Sequence, residues 1–193
     1  MDINLIIVAV YSYLLGSIPF GLLLAKIFLK KDIRTVGSGN IGATNVLRTG
    51  NKSLGYLTLI LDIAKAVVPV IYIKFNYPDL VYISALCAFL GHLFPIWLKF
   101  KGGKGVATFV GILISINIFY ALVFGAVWIL TFLISKYSSL SSLFASISIP
   151  LYLLIINKGN IIFFIIMFVL IFYTHRGNIK RLINKEETKS KIY

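Results

Sequence analysis

The sequence predicts an all-α integral membrane protein, a polytopic bundle of about seven transmembrane helices. Of its 193 residues, 59% are hydrophobic and only 13% are charged, whereas a soluble domain has about 25% charged residues. Several apolar runs approach the roughly 20 residues that a helix needs to cross the hydrocarbon core. The formal net charge is +13, but the basic residues stand in short connectors between apolar runs. We therefore expect a lipid bilayer and no nucleic acid as partner.

Three runs are long enough to cross the membrane singly: residues 5–28, 54–73 and 80–100. The first run has no basic segment before it and no small-residue cleavage site after it, so we interpret it as a retained span. Residues 106–134 are too many for one span, and Asn117 near the middle predicts a hairpin of two short ones. Residues 143–156 and 161–174 predict a second hairpin. We expect seven spans in one domain, residues 1–193, or five if either hairpin is re-entrant.

The distribution of charge predicts the orientation of the chain. Fifteen of the nineteen Lys and Arg lie in residues 30–53, 99–105, 135–142 and the tail after 174, and the opposite side keeps only Lys74 and Lys158. The positive-inside rule therefore predicts an N-terminus outside and a cytoplasmic C-terminus. The three polar motifs described below fall on the cytoplasmic side in this topology.

The first polar motif, VGSGNIGATN, matches the dinucleotide fingerprint G-x-G-x-x-G at Gly37, Gly39 and Gly42, with Asp62 twenty residues later. That fingerprint requires a buried strand before the first glycine and a βαβ unit after it. Charged residues precede the motif here, and Asp62 lies inside an apolar run. A dinucleotide site is not expected.

Glycine-rich loops also bind anions, because the backbone can approach a ligand closely and offer N–H groups to it. A second such loop, FKGGKGVAT, follows GHLFP, and a third basic motif is HRGNIKRL. Glycines flank Arg48, Lys101 and Lys104, and we interpret these three as anion ligands. The other cytoplasmic cations are interpreted as ordinary positive-inside charges, namely Lys30, Lys31, Lys52, Lys99 and those after Asn184. The second loop fails the Walker pattern at Lys104 and Gly105, so nucleotide hydrolysis has little support.

Asp62 and Lys65 stand three residues apart within a predicted span. They can pair on one helix face, and intramembrane ions are costly. The pair either lines the site or locks a helix contact, and the sequence leaves both readings open. Residues 16–21, GSIPFG, break the first predicted span.

Few nucleophiles or metal ligands are available. No serine is linked to a base and an orienting acid, the H-x-x-x-x-D base of other acyltransferases is missing, and the chain has two histidines and one cysteine. We expect no metal and no cofactor. Phosphate-binding groups without a nucleophile suit a substrate that is already activated.

The segments GSGNIGATNVLR, GHLFP with FKGGKGVAT, and HRGNIKRL resemble the three signature motifs of the bacterial acyl-phosphate-dependent glycerol-3-phosphate acyltransferases, the PlsY family. The similarity runs from about residue 10 to residue 187. Two positions depart from the family, which usually has glycine at Ala66 and at Lys185.

This resemblance implies acyl transfer from acyl phosphate to the 1-hydroxyl of sn-glycerol 3-phosphate, the first step of bacterial phospholipid synthesis, giving lysophosphatidic acid and phosphate. It implies a bacterial cytoplasmic membrane, with the active site at the cytoplasmic face. The implied catalytic residues are Ser38, Arg48, Lys104, His175 and Asn178. The implied substrate-binding residues are Gly37, Gly39, Asn40, Thr44, Asn45, His92, Lys101, Gly102, Gly103, Gly105, Lys136, Ser139 and Arg176.

One alternative is a small membrane transporter of phosphate-bearing anions. A transporter explains basic glycine loops and broken helices, but it predicts internal repeats and a site near the bilayer midplane. Only GAT at residues 42–44 and GVAT at residues 105–108 hint at a repeat. A lipid-binding scaffold is a further alternative, in which removal of Lys104 changes little beyond charge.

Overall fold

The computed structural model describes residues 3–157 and 159–189, and in that part of the chain every regular element is a helix. Lys158 and Lys191, which entered the charge count, lie outside the described residues. The α-helices are α1 (Ile3–Gly16), α2 (Phe20–Leu29), α3 (Ala43–Leu47), α4 (Lys52–Asn76), α5 (Val81–Leu93), α6 (Val106–Ile116), α7 (Ile118–Ser135), α8 (Ser138–Ile156), α9 (Ile161–Thr174) and α10 (Arg176–Ile183).

Helices form most of every predicted apolar run, with breaks at residues 17–19, 94–95 and 117, which confirms the all-α membrane fold. Among the described residues, five segments are long and apolar enough to cross a bilayer: Ile3–Leu29, Lys52–Asn76, Pro78–Leu98, Ile118–Ser135 and Ser138–Ile156. Helices α9 and α10 make a sixth if the pair, bent by 60°, is one span. Helix α6 has 11 residues and is therefore about 16 Å long, shorter than the hydrocarbon core. The count of seven spans and the orientation of the termini stay predictions.

Asn117 separates two helices, as its position in the apolar run predicted. Its side chain accepts a hydrogen bond from the backbone N–H of Phe119 and caps α7. An Asn cap satisfies a donor that the first turn of a helix otherwise leaves without a partner.

The chain forms two compact units, the first ending at Ile116 and the second beginning at Asn117. In the first unit, α1 packs on α5, and α4 packs on α5 and α6. Ser12 and Ser84 share a buried hydrogen bond of 2.8 Å between α1 and α5. Close approach of these two helices depends on Gly16, where an added Cβ would overlap the backbone of Ala88. Small interfacial residues of this kind are typical of membrane helices.

A short connection places the two polar loops of the first unit at the same end. Helices α4 and α5 run antiparallel because only residues 77–80 join them. The loop that precedes α4 and the loop that follows α5 therefore lie at the same end of this unit.

In the second unit, α8 packs against both α7 and α9. Tyr120 of α7 and Phe164 of α9 meet edge to face, with ring centroids 5.5 Å apart. Since α8 and α9 are antiparallel neighbours, the start of α8 lies near the end of α9. Ser139 and the third motif are therefore close in space.

Candidate active site

The first loop, residues 36–45, is built around the side chain of Asn45, which is 1% exposed. Its amide nitrogen lies 2.9–3.0 Å from the carbonyl oxygens of Ile33, Val36 and Asn40. Its amide oxygen accepts from the backbone N–H of Ser38 at 3.0 Å and from the Ser38 hydroxyl at 3.3 Å. One side chain thus holds three residues of the loop together with Ile33 before it, so Asn45 orders the loop. A direct contact between Asn45 and substrate stays a prediction.

Glycines allow the first loop to turn tightly beside Arg48. Gly37 and Gly39 have φ angles of +54° and +70°, in the left-handed region that other residues seldom adopt. A Cβ at Gly37 would lie 3.1 Å from Cδ of Arg48. Within the described ranges Arg48 forms no ion pair, and Ser38 is exposed. The loop therefore offers a guanidinium and a hydroxyl to an anion.

The entrance to the first loop is fixed by Asp32. Its carboxylate accepts from the backbone N–H of Arg34 at 3.0 Å and pairs with the guanidinium of Arg34 at 2.6 Å. The hydrogen bonds from the Arg34 side chain and backbone lower the pKa of Asp32 to about 2. The carboxylate therefore stays ionised at neutral pH and keeps capping the turn Ile33–Thr35.

The second loop, residues 101–105, folds tightly onto the end of α5. The N–H groups of Gly102 and Gly103 donate to the carbonyls of Leu93 and His92 at 3.0 and 3.1 Å. A Cβ at Gly102 would overlap those carbonyls, and one at Gly103 would overlap the His92 imidazole. These two glycines are therefore required by packing.

The expectation that the glycine N–H groups point at a phosphate is wrong for three of them. The N–H groups of Gly102 and Gly103 bond to α5, and that of Gly39 donates to the carbonyl of Val36 at 2.9 Å. The N–H groups are used because a close-packed turn must satisfy its own backbone. That these three residues border the substrate stays a prediction.

The second loop leads directly into α6. Gly105 has a φ angle of +86°, and α6 begins at the next residue. The first N–H groups of a helix have no partner within it, and its N-terminus attracts negative charge. The half-buried Lys104 precedes this terminus, and Lys101 is exposed. A cation and a helix N-terminus are thus combined at one point of the first unit, which favours an anion.

The structure answers the question that Asp62 and Lys65 raise. Nζ of Lys65 lies 2.8 Å from Oδ1 of Asp62 and donates to the carbonyl oxygen of Ile18 at 2.8 Å. Ile18 lies in the break between α1 and α2, where Pro19 cannot donate a backbone hydrogen bond. The pair therefore locks a contact between α4 and the broken first span. His92 is also buried, with Nδ1 4.0 Å from Oδ1 of Asp62.

In the second unit, the carboxylate of Glu187 organises the third motif, a role that the sequence did not predict. Glu187 accepts from Nδ2 of Asn178 at 2.7 Å, from Oγ of Ser139 at 2.9 Å and from Nε of Arg181 at 2.7 Å. Burial alone would raise the pKa of Glu187, but the hydrogen bonds from Asn178, Arg181 and Ser139 outweigh it and hold this pKa below its usual value. An ionised Glu187 thus fixes both Asn178 and Ser139.

His175 stands at the bend between α9 and α10 and is 2% exposed. Its Nδ1 lies 2.8 Å from the carbonyl oxygen of Ile171. A carbonyl only accepts, so Nδ1 carries the proton, and in the neutral ring Nε2 carries the lone pair. His175 therefore has the tautomer in which Nε2 can accept a hydrogen bond from a hydroxyl group.

The remaining predicted residues are more exposed. Arg176 is exposed and stacks on the ring of Tyr173, with its guanidinium carbon 4.4 Å from the centroid. Lys136 is half-buried in a left-handed conformation at the end of α7. Thr44 is exposed and Asn40 is half-buried. Their contacts with substrate stay predictions.

Comparison with known proteins decides the family. The family model described as glycerol-3-phosphate acyltransferase matches residues 6–185. This chain belongs to the glycerol-3-phosphate acyltransferase family. A glycerol-3-phosphate acyltransferase of Pelagibacter ubique is 74% identical over 97% of this chain and 98% of that protein. One of Brucella anthropi is 50% identical over 98% of this chain and 94% of that protein.

Solved structures agree with this assignment. A crystal structure of PlsY (YgiH), an integral membrane glycerol 3-phosphate acyltransferase in its glycerol 3-phosphate form, matches with a TM-score of 0.90 and 38% identity, over 96% of this chain and 95% of that one. Its lysophosphatidic acid form matches with a TM-score of 0.88 and 37% identity, over the same shares of both chains. The resemblance to the PlsY family is confirmed, and the chain is an enzyme, so the transporter alternative is wrong.

The structure shows the surroundings of the two residues that depart from the acyltransferase motifs, Lys185 and Ala66. Lys185 has a φ angle of +62°, in the region where glycine is favoured, which explains the usual glycine there. Ala66 is fully buried on α4, and a Cβ at Gly111 of α6 would lie 3.2 Å from its methyl group. The methyl group thus fills space at the contact between α4 and α6.

The sequence contained one signal for the role of Glu187. Only six acids occur in the chain, and two of them, Glu186 and Glu187, end a strongly basic motif. A carboxylate among cations is a natural hydrogen-bond acceptor. Which of the adjacent acids turns inward depends on the left-handed residue before them, and the sequence does not reveal that.

Proposed function

We propose that the enzyme transfers an acyl group from an acyl phosphate to the 1-hydroxyl of sn-glycerol 3-phosphate, releasing lysophosphatidic acid and inorganic phosphate. In this proposal Ser38, Arg48 and Lys104 bind phosphate groups. His175 and Asn178 orient the glycerol phosphate or the reacting carbonyl.

The observation that carries the proposal is the first loop. One buried amide holds it in shape beside Arg48, which forms no ion pair among the residues that the structure describes. Both substrates are phosphate-bearing anions, and charge-assisted hydrogen bonds from a guanidinium suit them. The glycerol 3-phosphate and lysophosphatidic acid forms described for the related PlsY structures also support the proposed acceptor and product.

The proposed chemistry is direct attack. The 1-hydroxyl oxygen of glycerol 3-phosphate bonds to the acyl carbonyl carbon, and the bond from that carbon to the phosphate oxygen breaks. The hydroxyl proton passes to a substrate phosphate, whose second pKa lies near 6. Nε2 of His175 would accept a hydrogen bond from the hydroxyl and orient it. Asn178, with its amide fixed by Glu187, would hold its oxygen or second N–H toward the substrate.

The acyl chain is proposed to bind from within the membrane. An apolar cleft of about 380 Å³ in the first unit is lined by Ile18, Leu22 and Trp97, among others. Each CH₂ that moves from water into such a cleft contributes about 0.8 kcal/mol. A donor with a long chain would therefore be held mainly by its hydrocarbon, and the polar loops would need to grip only its phosphate.

We also propose that the enzyme lies in the cytoplasmic membrane of a bacterium with its site on the cytoplasmic side. The excess of Lys and Arg in the predicted cytoplasmic segments supports this orientation, and the relatives named above come from bacteria. Soluble glycerol 3-phosphate would then reach the site from the cytoplasm.

The test is a product assay on the detergent-purified enzyme. Palmitoyl phosphate and glycerol 3-phosphate should give lysophosphatidic acid and phosphate in equal amounts, and neither product should form when the acceptor is omitted. Palmitoyl-CoA serves as the alternative donor. Product from palmitoyl-CoA but not from palmitoyl phosphate would overturn the proposed donor, while leaving the family assignment intact.

Direct attack has its own test. Enzyme mixed with radiolabelled palmitoyl phosphate alone, then quenched in acid, should carry no covalent label. A labelled protein that transfers its acyl group to added glycerol 3-phosphate at the turnover rate would contradict direct attack.

A further inference from the structure

The ion pair of Asp62 and Lys65 is buried inside the first unit, with side chains 3% and 2% exposed. A buried ion pair is weak evidence for stability, because the cost of taking both charges out of water offsets their attraction. Such a pair nevertheless has fixed geometry, and each partner here reaches a different part of the protein.

Lys65 connects to the first loop through the broken span. Its Nζ donates to the carbonyl of Ile18 at 2.8 Å and lies 5.9 Å from the centroid of the Phe20 ring. The next residue, Gly21, packs against the first loop so closely that an added Cβ would overlap the carbonyl oxygen of Ile41. A movement of Lys65 would therefore be transmitted to the first loop.

Asp62 lies beside His92, which packs on the second loop. Nδ1 of His92 lies 4.0 Å from Oδ1 of Asp62, which is packing distance and too long for a hydrogen bond. The carbonyl of His92 accepts from the N–H of Gly103, and its imidazole fills the space where a Gly103 side chain would lie. The position of His92 therefore sets the position of the second loop.

We propose that Asp62 and Lys65 are positioning residues that set the separation of the two glycine-rich loops. This inference rests on the proposed function, in which both loops bind phosphate groups. Phosphate ligands on both loops must then be held at a matched separation, and a misplacement of about 1 Å costs about a hundredfold in rate. The ion pair spans the interior between the two loops and holds them at that separation.

The test removes both charges together, because loss of one would leave the other buried without a partner. The double variant Asp62→Asn with Lys65→Met should fold with a melting temperature close to that of the parent. We expect kcat to fall about a hundredfold while KM for glycerol 3-phosphate changes little, since each loop still binds its own anion. A merely structural role would alter melting and leave kcat per folded molecule unchanged.

The matched control is Ser12→Ala with Ser84→Ala. It removes a buried polar contact of the same 2.8 Å length from the same unit, but that contact joins α1 to α5 and neither loop. Its kcat should equal that of the parent. If the Met variant does not fold, Asp62→Asn with Lys65→Gln takes its place, because the shorter amide no longer reaches Ile18.

A distance measurement tests the same idea without turnover. Spin labels at Thr35→Cys and Lys99→Cys occupy exposed positions just before the first and second loops. In a Cys87→Ala background they report the separation of the two points where the chain enters the loops. The distance distribution should be narrow in the parent and in the serine control, and broader or shifted in the charge-free variant. An unchanged distribution overturns the inference whether or not kcat falls. Absence of acyl phosphate turnover in the parent would overturn the proposed function instead.

Discussion

Replacement of Asn45 by Asp tests the interior of the first loop most sharply, because the two side chains have nearly the same shape. Asp keeps an oxygen for the N–H of Ser38 but loses both hydrogens that face the carbonyls of Ile33, Val36 and Asn40. Two of those carbonyls have another donor, since Ile33 accepts from Val36 and Val36 accepts from Gly39. Among the described residues, only the carbonyl of Asn40 is left without a hydrogen-bond donor.

The magnitude follows from this arrangement. The lost hydrogen bonds to the carbonyls of Ile33 and Val36 cost about 1 kcal/mol each, and the half-buried carbonyl of Asn40, left without a donor, costs about 1 kcal/mol or more. The ordered loop of Asn45→Asp should therefore be destabilised by at least about 3 kcal/mol. If substrate binds only the ordered loop, its apparent affinity falls by up to about a hundredfold.

The assay compares KM and kcat for both substrates with the melting temperature of the same sample. KM should rise and kcat at saturation should change less, because saturating substrate restores the ordered loop. The control is Thr49→Ala, which removes a hydrogen bond to the carbonyl of Val46 just after the loop and should leave KM unchanged. A folded Asn45→Asp enzyme whose KM stays within twofold of the parent would refute this reasoning.

Three further predictions concern the tail and the second loop. Glu187→Gln should lower the melting temperature at neutral pH and make it depend less on pH in acid. The pKa of Glu187 is depressed from 4.5, so the stability that its carboxylate contributes is complete above pH 4.5 and is lost as the pH falls through the lower folded pKa. The same fall of melting temperature in acid for both proteins would contradict this. Lys185→Gly should stabilise the fold by about 0.5–1 kcal/mol, because glycine adopts a positive φ without strain. The control Asn184→Gly, at a φ of −77°, should destabilise it. A lower free energy of unfolding for Lys185→Gly than for Asn184→Gly would contradict this. Gly103→Ala should lower kcat/KM at least tenfold. The control Gly125→Ala, where an added Cβ meets nothing within 4 Å, should leave kcat/KM unchanged. Equal kcat/KM in the two variants would contradict close packing of the second loop.

Much of the fold was predictable because hydropathy and breakers act locally. Asn117 separates two helices as expected, and the break near Pro19 follows from a residue without a backbone donor. The length of α6 was harder to predict, since its apolar run continues through Asn117 into α7. Whether so short a helix spans a bilayer depends on its neighbours and on the lipid, and the sequence contains neither.

The site was predictable at the level of motifs and less so at the level of atoms. The first loop indeed brings Ser38 and Asn45 together beside Arg48. The use of the N–H groups of Gly102 and Gly103 depends on how the second loop folds back on α5, a long-range contact that local sequence does not encode. Glu187 was missed for the same reason, because its partners include Ser139, nearly fifty residues earlier.

The most direct test of the account asks whether Lys104 acts as a phosphate ligand or as an ordinary cytoplasmic charge. The measurement is kcat/KM for lysophosphatidic acid formation from palmitoyl phosphate by Lys104→Met, beside Lys99→Met, which removes an exposed cation just before the second loop. The account predicts a loss of at least a hundredfold for Lys104→Met and a value within twofold of the parent for Lys99→Met. Equal activity of the two folded variants would contradict it.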